Sequence, residues 1–167
     1  MIQKFRGYKP KISESSFVAG SSDIIGNVII EEDASIWFGS VLRGDVNSIR
    51  IGRGTNIQDN CTIHVHEDNS FVNVGEYVTV GHGVILHGCK IGKFSLIGMG
   101  SIILDGAEIG EQTMIGAGSL VTSNKIIPSG VLCVGSPARV VRELTEEEKL
   151  SLRDSAENYI DLSKEYK

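Results

Sequence analysis

The feature that most limits what this chain can fold into is a period of six. Aliphatic residues occupy Ile12, Val18, Ile24, Ile30, Ile36 and Leu42, then Ile51, Ile57 and Ile63, then Val74, Val80 and Leu86. After one five-residue step the series runs unbroken through Ile91, Ile97, Ile103, Ile109, Ile115, Val121 and Ile127. A helix repeats every 3.6 residues and a strand every 2, so neither yields six. Short parallel strands joined by turns do yield it, and three hexapeptides close one triangular coil. Residues 18 apart then stack at about the 4.8 Å spacing of neighbouring strands. The periodic aliphatics form an interior column in which each side chain contributes roughly 1.5–3 kcal/mol on burial. The sequence therefore predicts an all-β fold, a parallel β-helix of triangular cross-section.

Composition agrees. Glycine supplies 20 of the 167 residues, well above the usual ~7%, and often follows the periodic aliphatic, as at Gly52, Gly75, Gly81, Gly92, Gly98, Gly110 and Gly116. The expectation is that these glycines take corner dihedrals that other residues resist. Four positions after the aliphatic the residue is usually small (Ser22, Ala34, Ser40, Thr55, Cys61, Ser95 among others), as a narrowing prism requires. The repeat breaks between Leu42 and Ile51 and between Ile63 and Val74, and extra residues in a solenoid are expected to leave as outer loops. These two departures hold Arg43-Gly44-Asp45-Val46-Asn47-Ser48 and His64-Val65-His66-Glu67-Asp68-Asn69.

Residues 1–135 are expected to form the β-helix, and 136–167 an exit turn and a C-terminal helix packed on it, all within a single domain. Gly135-Ser136-Pro137-Ala138-Arg139 reads as the turn. Thr145 and Glu148 fit a capping box that opens a helix over about 146 to 164. Leu152, Ala156, Tyr159 and Ile160 share one helical face.

The formal net charge is −5, with no basic stripe of the kind that marks a nucleic-acid surface. No apolar run approaches the ~18 residues of a membrane span, and Met1-Ile2-Gln3-Lys4-Phe5-Arg6 has no hydrophobic signal region. Three cysteines without CxxC spacing (Cys61, Cys89, Cys133) point to a reducing compartment, the cytoplasm. Neither nucleic acid nor membrane is an expected partner.

Counting hexapeptides round the triangle as faces A, B and C places Leu42, Ile63 and Leu86 on face C. The residues after them, Arg43, His64 and His87, share one outward phase, so His64 and His87 lie in adjacent coils of one column. Face B carries Ile57 and Val80, and two positions on stand Asp59 and His82. A core of Ile and Val separates His82 from the other two histidines within one chain. Face B of one copy meeting face C of the next is a heterologous contact, which three 120° rotations close into a ring. The expected arrangement is a homotrimer with three identical sites, each taking His64 and His87 from one subunit and His82 from the partner. Three neutral imidazoles with one open position describe a catalytic zinc site. Cys61 reads as an inward packing residue, and His66 as solvent-exposed.

The motifs Arg43-Gly44-Asp45, Asn56-Ile57-Gln58-Asp59-Asn60, His64, Gly81-His82 and Leu86-His87-Gly88-Cys89 resemble those of the gamma-class carbonic anhydrases, in their short-loop bacterial branch. Gly135-Ser136-Pro137-Ala138-Arg139 and Ser155-Ala156-Glu157-Asn158-Tyr159 extend the resemblance over essentially the whole chain. It implies a left-handed coil and a metal (zinc, with ferrous iron or cobalt as alternatives) held by His64, His82 and His87 at trimer interfaces. It implies reversible hydration of carbon dioxide to bicarbonate by zinc-bound hydroxide. Gln58 matches the residue that orients the metal's water, and Asn56 its neighbour in substrate binding. Arg43 and Asp59 match an intersubunit ion pair, with Asp45 close by. The chain departs from the pattern at Val46, where family members can carry Glu, and in its short loop after His64. Glu67, Asp68 or Tyr159 are the substitutes for a proton relay. Other functions on such a scaffold are acyl-CoA-dependent acyl transfer with one general-base histidine and no metal, thioesterase activity, or a non-catalytic metal-binding trimeric assembly.

Overall fold

Nineteen aliphatic positions set the coil, and all but Ile12 and Val18 are fully buried along its axis. The computed structural model describes residues 1–67 and 70–167. Column C is in register throughout: Ile24 pairs Leu42, Leu42 pairs Ile63, Ile63 pairs Leu86, Leu86 pairs Ile103, and Ile103 pairs Val121. Column B runs Val18, Ile36, Ile57, Val80, Ile97, Ile115 and Cys133. Every one of these pairings is parallel, as the predicted β-helix demands.

The corner hydroxyls do more than fit. Ser40 Oγ donates to the Gln58 carbonyl at 2.7 Å, Thr55 Oγ1 to Gly75 at 2.7 Å, and Ser101 Oγ to Gly116 at 3.0 Å. Each satisfies a carbonyl that the turning backbone would otherwise leave unpaired. The glycines after the aliphatics have a different task from the one expected. Their φ values are not positive; at Gly92 a Cβ would sit 2.5 Å from the Glu111 backbone nitrogen of the next coil, so the coils could not stack so closely. Left-handed corners fall elsewhere, in part on non-glycine residues such as Asn60 (φ 58°), Tyr77 (φ 52°) and Phe94 (φ 57°).

Two other expectations need correction. Residues 43–48 form no outer loop: Val41–Ile51 is one continuous strand of 11 residues, paired along Asp23–Ile30 with a single register shift between Gly26 and Val28. Both strands run on across the corner from face C to face A, joining those faces into one sheet, while face B forms a second. At the other end, the turn at Ser136-Pro137 does not lead straight to the helix. It reverses the chain into Ala138–Glu143, an antiparallel strand paired with Val131–Gly135 at the end of the coil.

The helix spans Glu146–Glu165 with the expected Thr145–Glu148 capping box. It packs on face B, burying Leu152 and Ala156. Arg153 lies over the stacked rings of Tyr77 and Phe94, 6.0 and 5.9 Å from their centroids. The outward rows of the prism differ in chemistry. Face A presents Arg50, Asn73, Lys90 and Glu108, with Lys90 and Glu108 paired at 2.7 Å. Face C presents Ile85, Ile102 and Leu120, and beside face B Met99 is 57% exposed.

Candidate metal centre

The parallel register makes Arg43, His64 and His87 consecutive rungs on face C. Side chains in one outward column converge, and His64 Nδ1 lies 3.1 Å from His87 Nε2. Each ring's other nitrogen meets a carboxylate: His64 Nε2 is 3.0 Å from Asp45 Oδ1, and His87 Nδ1 is 2.8 Å from Asp105 Oδ2. Burial would raise both carboxyls, but bonds from His64 and Arg43 hold Asp45 below its ordinary value, and bonds from Ser70 and His87 do the same for Asp105. Both are therefore ionised near neutrality and only accept, which assigns the ring N–H groups to the carboxylate side. With both rings neutral, the two facing nitrogens would present lone pairs to each other.

His82 stands on the other flank, 47% exposed, its Nδ1 2.8 Å from Asp59 Oδ2. Asp59 also accepts the Phe38 backbone N–H at 3.1 Å. Within one chain Arg43 pairs with Asp45. Among the described residues of one chain, no three metal-ligating side chains converge.

Beside His82, Gln58 Nε2 donates to Asn56 Oδ1 at 3.1 Å, and Asn56 Nδ2 donates to Thr79 Oγ1 at 3.0 Å. Asn56 is wholly buried, its side chain held between Gln58 and Thr79. Gln58, Thr79 and His82 line a cleft of about 350 Å³ with Leu96, Met99 and Met114. Tyr159 packs edge-on against Trp37 with centroids 5.4 Å apart, and burial together with the charge of Asp59 pushes its phenol above the ordinary range. Val46 packs against the core. Glu67 and His66 are exposed, and Asp68 lies outside the described residues.

The sequence reading missed Asp105. Its signal was present, 18 residues beyond His87 and thus one coil on, but at an outward corner position an aspartate is ordinarily solvated.

Residues 88–123 match the family model described as bacterial transferase hexapeptide (six repeats). The chain is 48% identical over its full length to a carbonic anhydrase of Geobacillus kaustophilus, spanning 91% of that protein. Over 92% of its length it is 46% identical to the mitochondrial gamma carbonic anhydrase 2 of Arabidopsis thaliana, of which it spans 57%. The chain belongs to the gamma carbonic anhydrase family. Membership fits the carboxylate-backed histidines, since such backing is how proteins orient imidazole ligands. A solved hexapeptide transferase family protein from Anaplasma phagocytophilum superposes on all of the chain and 98% of its own, with a TM-score of 0.96 and 47% identity. No helix among the described residues is long and apolar enough to cross a membrane.

Proposed function

We propose that this chain is a carbonic anhydrase that reversibly hydrates carbon dioxide to bicarbonate, working as a homotrimer with a metal at each subunit boundary. The observation that carries the reading is the facing pair of ring nitrogens on His64 and His87, each ring backed by a carboxylate on its other nitrogen. Two lone pairs 3.1 Å apart repel unless a cation lies between them. His64, His87 and His82 of the partner subunit would hold the ion, and three neutral donors suit zinc, with ferrous iron or cobalt as alternatives. The bound metal supplies a Lewis acid that brings a water's pKa down to about 7.

The chain's own residues do the rest. Asp45 and Asp59 fix ring orientation at His64 and His82. Gln58, its amide N–H engaged by Asn56, keeps Oε1 free to accept from a water and orient it. The apolar wall of Leu96, Met99 and Met114 suits a nonpolar gas. Arg43, half-exposed, would pair with Asp59 of the partner subunit. Tyr159, beside Asp59, closes the flank, and Glu67 is the exposed acid nearest His64 in sequence for proton exit. Apolar side chains on face C (Ile85, Ile102, Leu120) and the exposed Met99 beside His82 support contact with neighbouring copies. The three unpaired, buried cysteines suit a reducing cytoplasm.

The test is metal content and carbon dioxide hydration measured by stopped flow on anaerobically purified protein. The expected result is one metal per subunit, rapid hydration, and loss of both in His82→Ala. Metal with neither hydration nor thioester hydrolysis would favour a non-catalytic assembly; metal with thioester hydrolysis would favour a thioesterase; no metal, with transfer from an acyl-CoA, would favour acyl transfer.

A further inference from the structure

Asp105 lies one coil beyond His87 and holds it from outside the histidine column. Its Oδ2 accepts the His87 Nδ1–H at 2.8 Å, and its Oδ1 accepts the Ser70 hydroxyl at 2.5 Å. Ser70 Oγ in turn accepts the His66 backbone N–H at 3.2 Å. The loop that follows one histidine is thereby tied to the carboxylate that holds the other. Gly88 makes room for this junction. A Cβ there would overlap both Ser70 Oγ and Asp105 Oδ1, and its φ of +55° already disfavours a side chain.

We propose that Asp105 is a positioning residue that keeps the His87 proton on Nδ1, with Ser70 and the absence of a side chain at Gly88 holding the carboxylate in place. The consequence concerns His64. Without an acceptor at Nδ1, His87 is free to carry its proton on Nε2, and at 3.1 Å it would donate that proton to His64 Nδ1. The two rings would then satisfy each other as an ordinary hydrogen-bonded pair, with only one lone pair turned outward. Asp105 removes that option and makes the pair require a cation. This role rests on the metal-centre reading above, whereas the tautomer it predicts does not.

The experiment compares wild type with Asp105→Ala, Asp105→Asn and Ser70→Ala. Ring-nitrogen ¹⁵N NMR of the metal-stripped protein, at a pH where the imidazoles are neutral, reports the tautomer of His87. Competition against a chromogenic chelator reports zinc affinity. Wild type is expected to show Nδ1–H at His87. Asp105→Ala moves the proton to Nε2 and weakens zinc 10- to 100-fold, the usual cost of losing a carboxylate behind a ligand. Asp105→Asn, whose amide oxygen still accepts, keeps the tautomer and loses less affinity, and Ser70→Ala loses least. An Asp105→Ala protein whose His87 stays protonated on Nδ1, or whose zinc affinity is unchanged, overturns the proposal. A wild type that binds no zinc sinks the metal-centre reading, and the His87 tautomer then still decides the role of Asp105. Asp105 is 43% exposed at a corner, so its loss leaves the core packing intact, which circular dichroism checks.

Discussion

Cys61 and Cys89 show how strongly this interior penalises charge. Burial pushes the Cys61 thiol up to about 11 and the Cys89 thiol up to about 12. A thiol attacks only as the thiolate, so both should stay silent toward Ellman's reagent at pH 8 in the folded protein and react fully in 6 M guanidinium. Fast reaction of either without denaturant would show that the coil opens locally. The same packing explains why His64, His82 and His87 were readable in advance. A rigid period of six converts sequence spacing into position, so phase alone put His64 above His87 and His82 on another face. What phase does not give is where a side chain turns once it leaves the backbone. Arg43 pairs with Asp45 within the chain, and Asn56 turns inward onto Gln58 and Thr79; both follow from short-range hydrogen bonding that spacing does not encode.

The C-terminal helix was legible almost to the residue because its signals are local: a capping box, then apolar positions at helical spacing. Ala138–Glu143 was not, since Val140 and Val141 are adjacent rather than alternating and the strand exists because Val131–Gly135 offers it an edge. Val41–Ile51 hid for a related reason, its polar middle reading as a loop while Asp23–Ile30 holds it extended. The helix start makes a testable element. Thr145→Ala removes the acceptor for Glu148 N–H and should lower stability by about 0.5–2 kcal/mol in urea unfolding. Glu148 accepts two hydrogen bonds from the Arg142 guanidinium, one on each oxygen at 2.7 Å, and these, with the Thr145 backbone N–H, bring its carboxyl from 4.5 to about 2. A depressed folded pKa stabilises above the unfolded value and loses that effect as pH falls through the folded one. The gap in urea midpoint between wild type and Glu148→Gln should therefore be full above pH 4.5 and shrink steadily toward pH 2. A gap that widened on acidification would mean that the charge of Glu148 opposes the helix.

Exposed apolar side chains stand near the histidines, Ile85 on face C and Met99 beside face B, while face A is mostly charged and ends on the exposed Ile126. Face A carries Arg50, Lys90 and Glu108 and is at home in water. Ile85, Ile102 and Leu120 on face C, and Met99 and Met114 beside His82, are surfaces that docking face B of one copy to face C of the next would hide from water. In the proposed trimer that docking would bring the His64–His87 pair to His82 of the partner subunit, so burial of apolar surface and completion of the site would be one event. The arrangement makes an asymmetric demand on mixed assemblies. A His82→Ala subunit still offers an intact His64–His87 pair, and a His64→Ala subunit still offers an intact His82. Each variant alone has no complete site. When the two are co-expressed at equal levels and assemble at random, one boundary in about four joins the intact pair to the intact His82. The whole mixture should then recover about a quarter of the wild-type metal content, because each hetero-trimer holds one complete site of three and about three trimers in four are mixed, with hydration activity rising in proportion. A His64→Ala, His82→Ala double variant mixed with wild type adds no sites of its own and serves as the control. No recovery in the two-variant mixture, with trimers of full mass present, would place all three ligands in one chain and remove the reason for reading the apolar faces as the walls of the centre.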